Sequence, residues 1–379
     1  MTNTNDLLAA VFADASLFCG KEDVIHAIIH HQMSKTGISP LRIAREQMLS
    51  GNRVDVVLFG DGVSGDFATT KQKSLAAIEV KGGAYGYRNA LKMEIDTSGY
   101  CKDMAKLKAD AARGIECWFL CVDMQELGRA VSPLKVELVS EQCTAHGLSF
   151  AYYCQGEPNF HVSWPKQKLA QLPVAKAVVA SSSHGVDFLL DRNDAKLSVL
   201  ARQCLAVSGH EANHVARLYD VLRKAGFGVA QLSLETYFSF AAPEGSRMQD
   251  RPDLVVFDAA FDGRFNLYNG GDMRRSNDAH KLAHIETIFE VKGGAAMDKK
   301  SDKAVMQAYL DDIHKLGRWR VGAATARKGT RVKTVFLGVD GRAQGLSADA
   351  VATLASESQK TGNGLIYVNP IFLSSPQQN

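Results

Sequence analysis

Short apolar stretches alternate with amphipathic stretches along the whole chain, and the same order occurs twice. The amphipathic stretches are typical of surface helices, whereas the apolar ones are short and rich in β-branched residues, as strands are. Each half therefore predicts two helices, three strands, a helix, a strand, a helix and a final strand. Strands that are apolar on both faces fit a sheet covered by helices on both sides. We therefore predict an α/β fold with a mixed central sheet in each half.

Seven segments of the first half recur in the same order in the second half. The matching ranges are 5–8 with 193–196, 22–26 with 211–215, 53–59 with 251–257, 77–83 with 288–294, 103–107 with 312–316, 119–123 with 336–340, and 147–148 with 364–365. The offset grows from 188 to 217, so the second half carries insertions. The largest lies between Asp253 and Glu290, which are 37 residues apart, against 24 between Asp55 and Glu79. This internal duplication predicts two tandem copies of one domain.

Residues 157–192 have no counterpart in the other half. They contain three prolines and the run Ser181–Ser183, a composition that is typical of a linker with at most one short helix. We therefore place the first domain at 1–156, the linker at 157–192 and the second domain at 193–379.

One aspartate and a glutamate–lysine pair stand at matching places in the two copies. They are Asp55, Glu79 and Lys81 in the first copy and Asp253, Glu290 and Lys292 in the second. The glutamate and the lysine are two residues apart on a predicted strand, so their side chains share one face. A charged pair on an apolar strand has to be solvated, paired or bound to a metal, because burying a lone charge is costly. The alternative is a surface ion pair on an edge strand.

This set of residues suits the hydrolysis of a phosphodiester by a hard cation. Carboxylate oxygens hold Mg²⁺, and Mn²⁺ is also plausible, while a lysine ammonium can orient the attacking water or contact the phosphate. We predict that the carbonyl groups of Val80 and Val291 also reach the metal. Glu22 and Glu211, on the preceding helices, are candidates for an additional ligand, with a solvated helix residue as the alternative.

The pattern Pro252-Asp253 followed by Glu290-Val291-Lys292 resembles the signature of the PD-(D/E)xK nuclease superfamily. The first copy has Val54 in place of the proline, which many members of the superfamily also lack. The resemblance covers the core of both copies. It implies two tandem restriction-endonuclease-like domains, each with a mixed central sheet flanked by helices and each with a metal-dependent site that cuts phosphodiester bonds.

Other charged residues also recur between the copies. Two Asp–Lys pairs have the three-residue spacing of ordinary helical ion pairs, and we leave them outside the site. These pairs are Asp103 with Lys106 and Asp312 with Lys315. His26 and His214 also match, and we interpret them as packed or surface residues.

Basic residues are concentrated in the second copy, where Lys315–Lys333 contains seven of them and no acid. Next to a nuclease site such residues are expected to contact phosphates, although a solvated loop has a similar composition. The candidates for nucleic-acid binding are Arg318, Arg320, Arg274, Arg275, Lys328 and Arg331. The net charge of +3 neither requires nor excludes a nucleic-acid partner.

Composition places the chain among ordinary globular proteins, with 46% apolar and 22% charged residues. We expect no secretion signal and no membrane span, because the apolar runs are far shorter than about 18 residues. The seven cysteines form no CxxC pair, which favours reduced thiols and a cytoplasmic location.

Together these observations predict an Mg²⁺-dependent DNA endonuclease with two tandem active sites. Duplex DNA is the expected substrate, and restriction or antiphage defence is the expected setting, with a protein partner for targeting or activation. One alternative is a catalytically quiet nucleic-acid-binding or regulatory protein on a nuclease scaffold. Another is a repair nuclease or an RNA nuclease, because the metal chemistry would be the same.

Overall fold

The computed structural model describes residues 4–67, 73–83, 94–95, 98–124, 131–191, 193–241, 247–265, 278–326 and 332–371. The chain divides into two compact units, Met1–Val179 with Gly263–Ser276 and Ala180–Asp262 with Asn277–Asn379. The division at 179 falls inside the segment 157–192 that we expected to be a linker. None of the helices in the described ranges combines the length and the apolar character that crossing a membrane requires.

The first unit contains four helices and nine strands among its described residues. In chain order these are α1 (Thr4–Ala15), α2 (Glu22–Lys35), β1 (Ile43–Leu49), β2 (Asn52–Phe59), β3 (Ser74–Gly83), β4 (Glu94–Ile95), β5 (Ser98–Gly99), α3 (Tyr100–Ala111), β6 (Glu116–Asp123), α4 (Pro133–Ala145), β7 (Ser149–Cys154), β8 (Asn159–Ser163) and β9 (Ala170–Pro173). A 3-10 helix, Pro40–Arg42, leads into β1. The strands β4 and β5 pair with each other in a separate small sheet.

The main sheet of the first unit has the order β1-β2-β3-β6-β7-β8-β9. The pairs β1·β2 and β2·β3 are antiparallel, β3·β6 and β6·β7 are parallel, and the last two pairs are antiparallel. The helices α2 and α3 both pack against β3, an interior strand of this mixed sheet.

Two strands lie in the segment that we expected to be a linker. They are β8 and β9, which extend the main sheet beyond β7. The prolines that suggested a linker flank these strands: Pro158 precedes β8, and Pro173 ends β9. At the outer strand of a sheet a proline is tolerated, because no ladder hydrogen bond requires its missing N–H.

The second unit shares the core order of two helices, three strands, a helix, a strand, a helix and a strand, and it differs from the first in the elements around this core. Its elements are α5 (Ala195–Leu205), α6 (Ala212–Lys224), β10 (Leu232–Leu234), β11 (Phe238–Ala241), β12 (Arg247–Asp250), β13 (Leu254–Phe257), α7 (Asp278–His284), β14 (Ile285–Lys292), α8 (Ala295–Asp298), α9 (Asp302–Ala326), β15 (Lys333–Val339), α10 (Ala348–Thr361) and β16 (Gly364–Val368). Its main sheet has the order β10-β13-β14-β15-β16, and β11 pairs with β12 separately. Two 3-10 helices, Val186–Leu189 and Val229–Gln231, precede α5 and β10.

The strands β1-β2-β3-β6-β7 of the first unit and all five strands of the second main sheet follow the same pattern, two antiparallel pairs and then two parallel pairs. Details of the backbone also match. A register shift follows Leu58 in β2 and Val256 in β13. Glu46 and Glu235 both have a φ of 52°, which is uncommon for a residue with a side chain. The prediction of mixed sheets flanked by helices is confirmed in both units, whereas their restriction-endonuclease-like identity stays a prediction.

The described cores are built from the apolar strands that the sequence pattern indicated. All six residues of β7 are buried, as are seven of the eight residues of β6. All four residues of β13 and six of the eight residues of β14 are buried in the second unit. A carboxylate or an ammonium group at the end of such a strand is therefore fixed by a rigid apolar support. The seven cysteines are all free thiols.

Candidate functional site

The geometry that the two units share begins with an aspartate held by a backbone amide of the neighbouring strand. Asp55 stands one residue beyond the paired positions Val56 and Ile78, which places it beside Glu79. Its Oδ2 accepts a hydrogen bond of 2.8 Å from the Val80 amide. In the second unit the equivalent hydrogen bond runs from the Val291 amide to Oδ2 of Asp253.

The hydrogen bond between the Val291 amide and Asp253 is 2.6 Å long. In both units the valine between the motif glutamate and lysine thus holds the aspartate through its N–H. The predicted contact between a metal and the carbonyl groups of Val80 and Val291 stays a prediction. The side chains of both valines are buried in the core, as the alternation along a strand requires.

The predicted helical glutamates join the same cluster. Oε2 of Glu22, the first residue of α2, accepts a hydrogen bond of 2.8 Å from the amide of Gly82. Oε2 of Glu211, just before α6, accepts one of 3.3 Å from the amide of Gly293. These glycine amides therefore hold the glutamates.

The second glycine of each motif lets the helix start close to the strand end. Gly83 and Gly294 have φ values of 85° and 88°, in the left-handed region that favours glycine. A Cβ atom on Gly83 would lie 2.8 Å from the backbone nitrogen of Glu22. A Cβ atom on Gly294 would lie 2.4 Å from the carbonyl oxygen of Gly209. The glycine pair is therefore needed to bring the glutamate into the cluster.

The motif lysines bind an aspartate of the following helix. Nζ of Lys81 lies 2.7 Å from Oδ2 of Asp103 on α3. Nζ of Lys292 lies 3.3 Å from Oδ2 of Asp312 on α9 and 3.3 Å from Oε2 of Glu211. The motif lysine and glutamate share one face of the strand, as predicted from their spacing. Side chains of the following helix connect the two charged groups.

A second lysine completes each bridge. Nζ of Lys106 contacts Oε1 of Glu79 and lies 2.6 Å from Oδ1 of Asp103. The same contacts recur in the second unit, where Lys315 contacts Oε1 of Glu290 and lies 3.6 Å from Oδ1 of Asp312. We had interpreted these Asp–Lys pairs as isolated helical ion pairs, and that interpretation was incomplete. The sequence signal for them was their recurrence in both copies.

One oxygen of each motif glutamate is buried without a hydrogen bond. Among the described residues, no donor reaches Oε2 of Glu79 or Oε2 of Glu290. The two side chains belong to residues that are only 2% and 3% exposed. A buried carboxylate oxygen without a partner is unfavourable, so a positively charged ligand would be stabilised there. The same buried oxygen occurs in both copies, and a divalent cation is a chemically suitable partner for it.

Burial raises the pKa of several carboxyl groups in the cluster. Burial, reinforced by Asp55, raises the pKa of Glu22 to about 8 and that of Glu79 to about 9. In the second unit burial raises the pKa of Glu290 to about 7, against the opposing charge of Lys315. The pKa of Asp253 is also raised well above its usual value, by burial and by the charge of Glu290. A bound cation would hold these groups in their charged forms.

The motif lysines keep their charge. Burial lowers the pKa of Lys81, but the charges of Glu22 and Asp103 outweigh it and raise the pKa above its ordinary value. The pKa of Lys292 is raised in the same way, with Glu211 as the largest favourable charge. These ammonium groups are therefore hydrogen-bond donors and electrostatic contacts rather than proton acceptors.

No protein-family model matches the chain, and no curated protein matches it either.

A histidine distinguishes the first site from the second. Nε2 of His26 lies 3.6 Å from Oδ2 of Asp55 and 4.0 Å from Oε1 of Glu22. One ligand atom from each of these three residues lies within 4.8 Å of the others, a spacing that could hold a metal ion. Among the described residues no hydrogen bond reaches Nε2 of His26, whereas Nδ1 lies 3.3 Å from a guanidinium nitrogen of Arg45.

The second unit has no histidine at this position. Glu22 is the first residue of α2, and Glu211 immediately precedes α6. When these two glutamates are aligned, the residue opposite His26 is Val215, so our pairing of His26 with His214 was wrong by one position. His214 is buried and packs near Gly293. Burial, together with the charge of Arg217, lowers the pKa of His214 to about 3. His214 is therefore a neutral core residue.

The predicted nucleic-acid contacts are only partly within the described residues. Arg318 on α9 is exposed. Arg320 is half-buried, and its Nε donates a hydrogen bond of 3.0 Å to the carbonyl oxygen of Thr361, at the end of α10. The intervening Trp319 is buried in the core. The other four candidates lie outside the described residues: Arg274, Arg275, Lys328 and Arg331.

Proposed function

We propose that the protein is a metal-dependent nuclease that hydrolyses DNA phosphodiester bonds, with one active site in each restriction-endonuclease-like copy. The observation that carries this proposal is a buried carboxylate cluster, built twice from the same residue types. In each copy one glutamate oxygen is buried and receives no hydrogen bond from the residues that the structure describes, and a second carboxylate and a charged lysine lie beside it. Metal-dependent hydrolysis of a phosphodiester needs a cation site and a hydrogen-bond donor next to it.

The first copy would hold the cation through Asp55, Glu79 and Glu22, and the second through Asp253, Glu290 and Glu211. The carbonyl groups of Val80 and Val291 are further ligands in this proposal. A bound Mg²⁺ or Mn²⁺ ion supplies a water of lowered pKa and positive charge for the phosphate. The backbone amides that hold the aspartates and the glutamates fix the carboxylate oxygens before any ligand arrives.

Lys81 and Lys292 orient the attacking water or bind a phosphate oxygen. Asp103 and Asp312 hold their ammonium groups, which keeps the two nitrogen atoms in place. Since their pKa values are raised, these lysines remain protonated near neutral pH and donate hydrogen bonds throughout the reaction. They act by stabilising negative charge on the phosphate, which is often the largest single contribution in such sites.

Duplex DNA is the substrate that we propose, because two sites in one chain allow one cut in each strand. Arg318 is exposed on α9, the helix that also carries the bridging residues Asp312 and Lys315, and supports a phosphate contact on this element. Restriction or antiphage defence, with a protein partner for targeting or activation, is the setting that the sequence resemblance implies.

The test is cleavage of supercoiled plasmid by the full chain and by three variants in Mg²⁺ or Mn²⁺. We expect linear product from the wild type, nicked product from Asp55→Asn and Asp253→Asn, and intact plasmid from the double variant. The same assay with linear duplex DNA, single-stranded DNA and RNA identifies the substrate class. Preferred cleavage of RNA or of single-stranded DNA would indicate an RNA nuclease or a repair nuclease. Cleavage by the double variant that equals the wild type would contradict the assignment of these sites.

A second candidate is a nucleic-acid-binding or regulatory protein without catalysis. The observation that favours it is the pairing of Glu79 with Lys106 and of Glu290 with Lys315, which partly neutralises both motif glutamates within the chain. Calorimetry with Mn²⁺ separates the two functions. DNA binding without cation binding and without cleavage would favour this second candidate.

A further inference from the structure

We propose that each copy binds one divalent cation, and that the ammonium group of Lys106 or Lys315 takes the place of a second one. This inference rests on the proposed function, because it concerns the same two sites. It assigns a role to two lysines that lie outside the aspartate, glutamate and lysine of the motif.

The second lysine bridges two carboxylates, as a shared cation does. Nζ of Lys106 contacts Oε1 of Glu79 and lies 2.6 Å from Oδ1 of Asp103. In sites with two metal ions, the ions are about 3.5–4 Å apart and clamp the reacting phosphate between them. An ammonium group that contacts two carboxylates supplies a positive charge where a second metal ion would otherwise bind.

The motif glutamate has one oxygen for each positive charge. Oε1 of Glu79 binds the lysine, while Oε2 is buried and accepts no hydrogen bond from the described residues. Glu290 repeats this division: its Oε1 contacts Lys315, and within the described part of the chain no donor reaches its Oε2. Each motif glutamate is thus positioned between an ammonium group and a place for one cation.

The fully ionised charge of each cluster matches one divalent cation. Four carboxylates and two ammonium groups give a formal charge of −2 when all are ionised. In the first copy these groups are Glu22, Asp55, Glu79, Asp103, Lys81 and Lys106, and in the second Glu211, Asp253, Glu290, Asp312, Lys292 and Lys315. One divalent cation neutralises this charge. A second would leave a net positive charge in a largely buried site, which is unfavourable.

Asp103 is the positioning residue for both lysines of the first copy. Its Oδ2 lies 2.7 Å from Nζ of Lys81, and its Oδ1 lies 2.6 Å from Nζ of Lys106. The residue is buried, with 5% of its surface exposed. Burial raises its pKa, but the charges of the two lysines outweigh burial and lower the pKa below its usual range. Asp103 therefore remains ionised and holds one ammonium group with each of its oxygen atoms.

The test is the number of Mn²⁺ ions bound per full-length chain, measured from the electron paramagnetic resonance signal of free Mn²⁺. We expect two ions for the wild type. We expect three for Lys106→Gln, because neutral glutamine leaves room and negative charge for another ion, and three for Lys315→Gln. Lys106→Arg retains the positive charge and should bind two. Lys108→Gln, an exposed change on the same helix, is the matched control and should also bind two.

Three results would overturn the inference. Four ions on the wild type would mean that the lysine does not replace a cation. Two ions on both glutamine variants, folded by circular dichroism, would mean that the lysines do not exclude a further ion. No ion on the wild type would overturn this inference together with the metal-dependent function, whereas the first two results would leave that function in place. If Lys106→Gln does not fold, the wild-type count and Lys315→Gln still decide.

Discussion

Oε2 of Glu22 accepts a hydrogen bond of 2.8 Å from the amide of Gly82, and this bond links the start of α2 to the end of β3. The link depends on the next residue, Gly83, since a Cβ atom there would lie 2.8 Å from the backbone nitrogen of Glu22. The sheet and the helix can therefore supply carboxylates to one cluster only if this position carries no side chain.

Replacement of Gly83 by alanine should destabilise the first unit by more than the strain of its left-handed backbone alone. A left-handed backbone costs an alanine about 1 kcal/mol, and the backbone of Glu22 and Gly20 would then have to move as well. Gly51→Ala is the matched control, because Gly51 has a φ of 83° but no atom within 4 Å of its Cβ position. Thermal unfolding of the two variants measures the difference. Equal losses would contradict the close approach of α2.

The stability of the metal-free protein should fall as the pH rises from about 5 to 9. In the folded chain the pKa of Glu22 is about 8 and that of Glu79 is about 9, whereas the unfolded chain releases these protons near 4.5. Between these values the folded chain binds more protons, so its free energy of unfolding decreases as the pH rises. The decrease ends when the pH passes the folded pKa values.

Glu79→Gln tests the origin of this pH dependence. Glutamine has no proton to lose, so the fall in melting temperature between pH 5 and 9 should be smaller in this variant. Glu141→Gln, an exposed change on α4, should leave the slope as in the wild type. Saturating Mg²⁺ should also reduce the slope, because a cation favours the ionised carboxylates. A slope that is unchanged in Glu79→Gln would argue against a buried, protonated Glu79.

Removal of a motif lysine should abolish most of the activity of its own site. Lys81→Ala should lower the turnover of the first site by about 10²–10³-fold, the usual effect of losing one donor to the reacting group. Assaying the change together with Asp253→Asn isolates the first site. Lys108→Ala in the same background should keep full activity. Equal turnover in the two lysine variants would contradict the role of Lys81.

His26 and His214 should respond differently to replacement by alanine. His26→Ala should weaken Mn²⁺ binding to the first site, since its Nε2 lies 3.6 Å from Oδ2 of Asp55. His214→Ala should instead reduce stability by about 2–3 kcal/mol by opening a cavity, with little change in Mn²⁺ affinity. Calorimetry and thermal unfolding on each variant separate the two effects. A loss of Mn²⁺ affinity in both would mean that the two histidines have equivalent positions after all.

Replacement of Arg318 should weaken DNA binding, whereas replacement of Arg320 should lower stability. Arg318 is exposed, so Arg318→Ala should weaken DNA binding and reduce its salt dependence by about one ion. Arg320 binds the carbonyl of Thr361, so Arg320→Ala should lower the melting temperature and leave the salt dependence unchanged. Fluorescence anisotropy over a range of salt concentrations gives both slopes. The reverse pattern would place the DNA contact at Arg320.

The aspartate, glutamate and lysine of each motif could be found from the sequence because their relationship is local. Glu79 and Lys81 are two residues apart on one strand, and the alternation of a strand determines that they share a face. Asp55 lies beside them because β2 pairs with β3, and sequential strands commonly pair. These positions required no knowledge of how the helices pack.

Asp103 and Lys106 could not be assigned in this way. Their three-residue spacing describes an ion pair on any helix, and only the packing of α3 on β3 directs both side chains to the cluster. The same limit applied to His26, because its relation to Asp55 depends on the rotation of α2 against the sheet. The sequence signal for Asp103 and Lys106 is their repetition as Asp312 and Lys315. The signal for His26 is that Val215 stands opposite it when Glu22 is aligned with Glu211.

Every described contact of each carboxylate cluster comes from the unit to which that cluster belongs. In a homodimer the two half-sites are encoded once, and any substitution appears in both. A tandem chain encodes them separately, so one site can acquire a different preference for metal or substrate while the other is preserved. The histidine at 26 and the valine at 215 are a difference of this kind, which a symmetric dimer could not maintain.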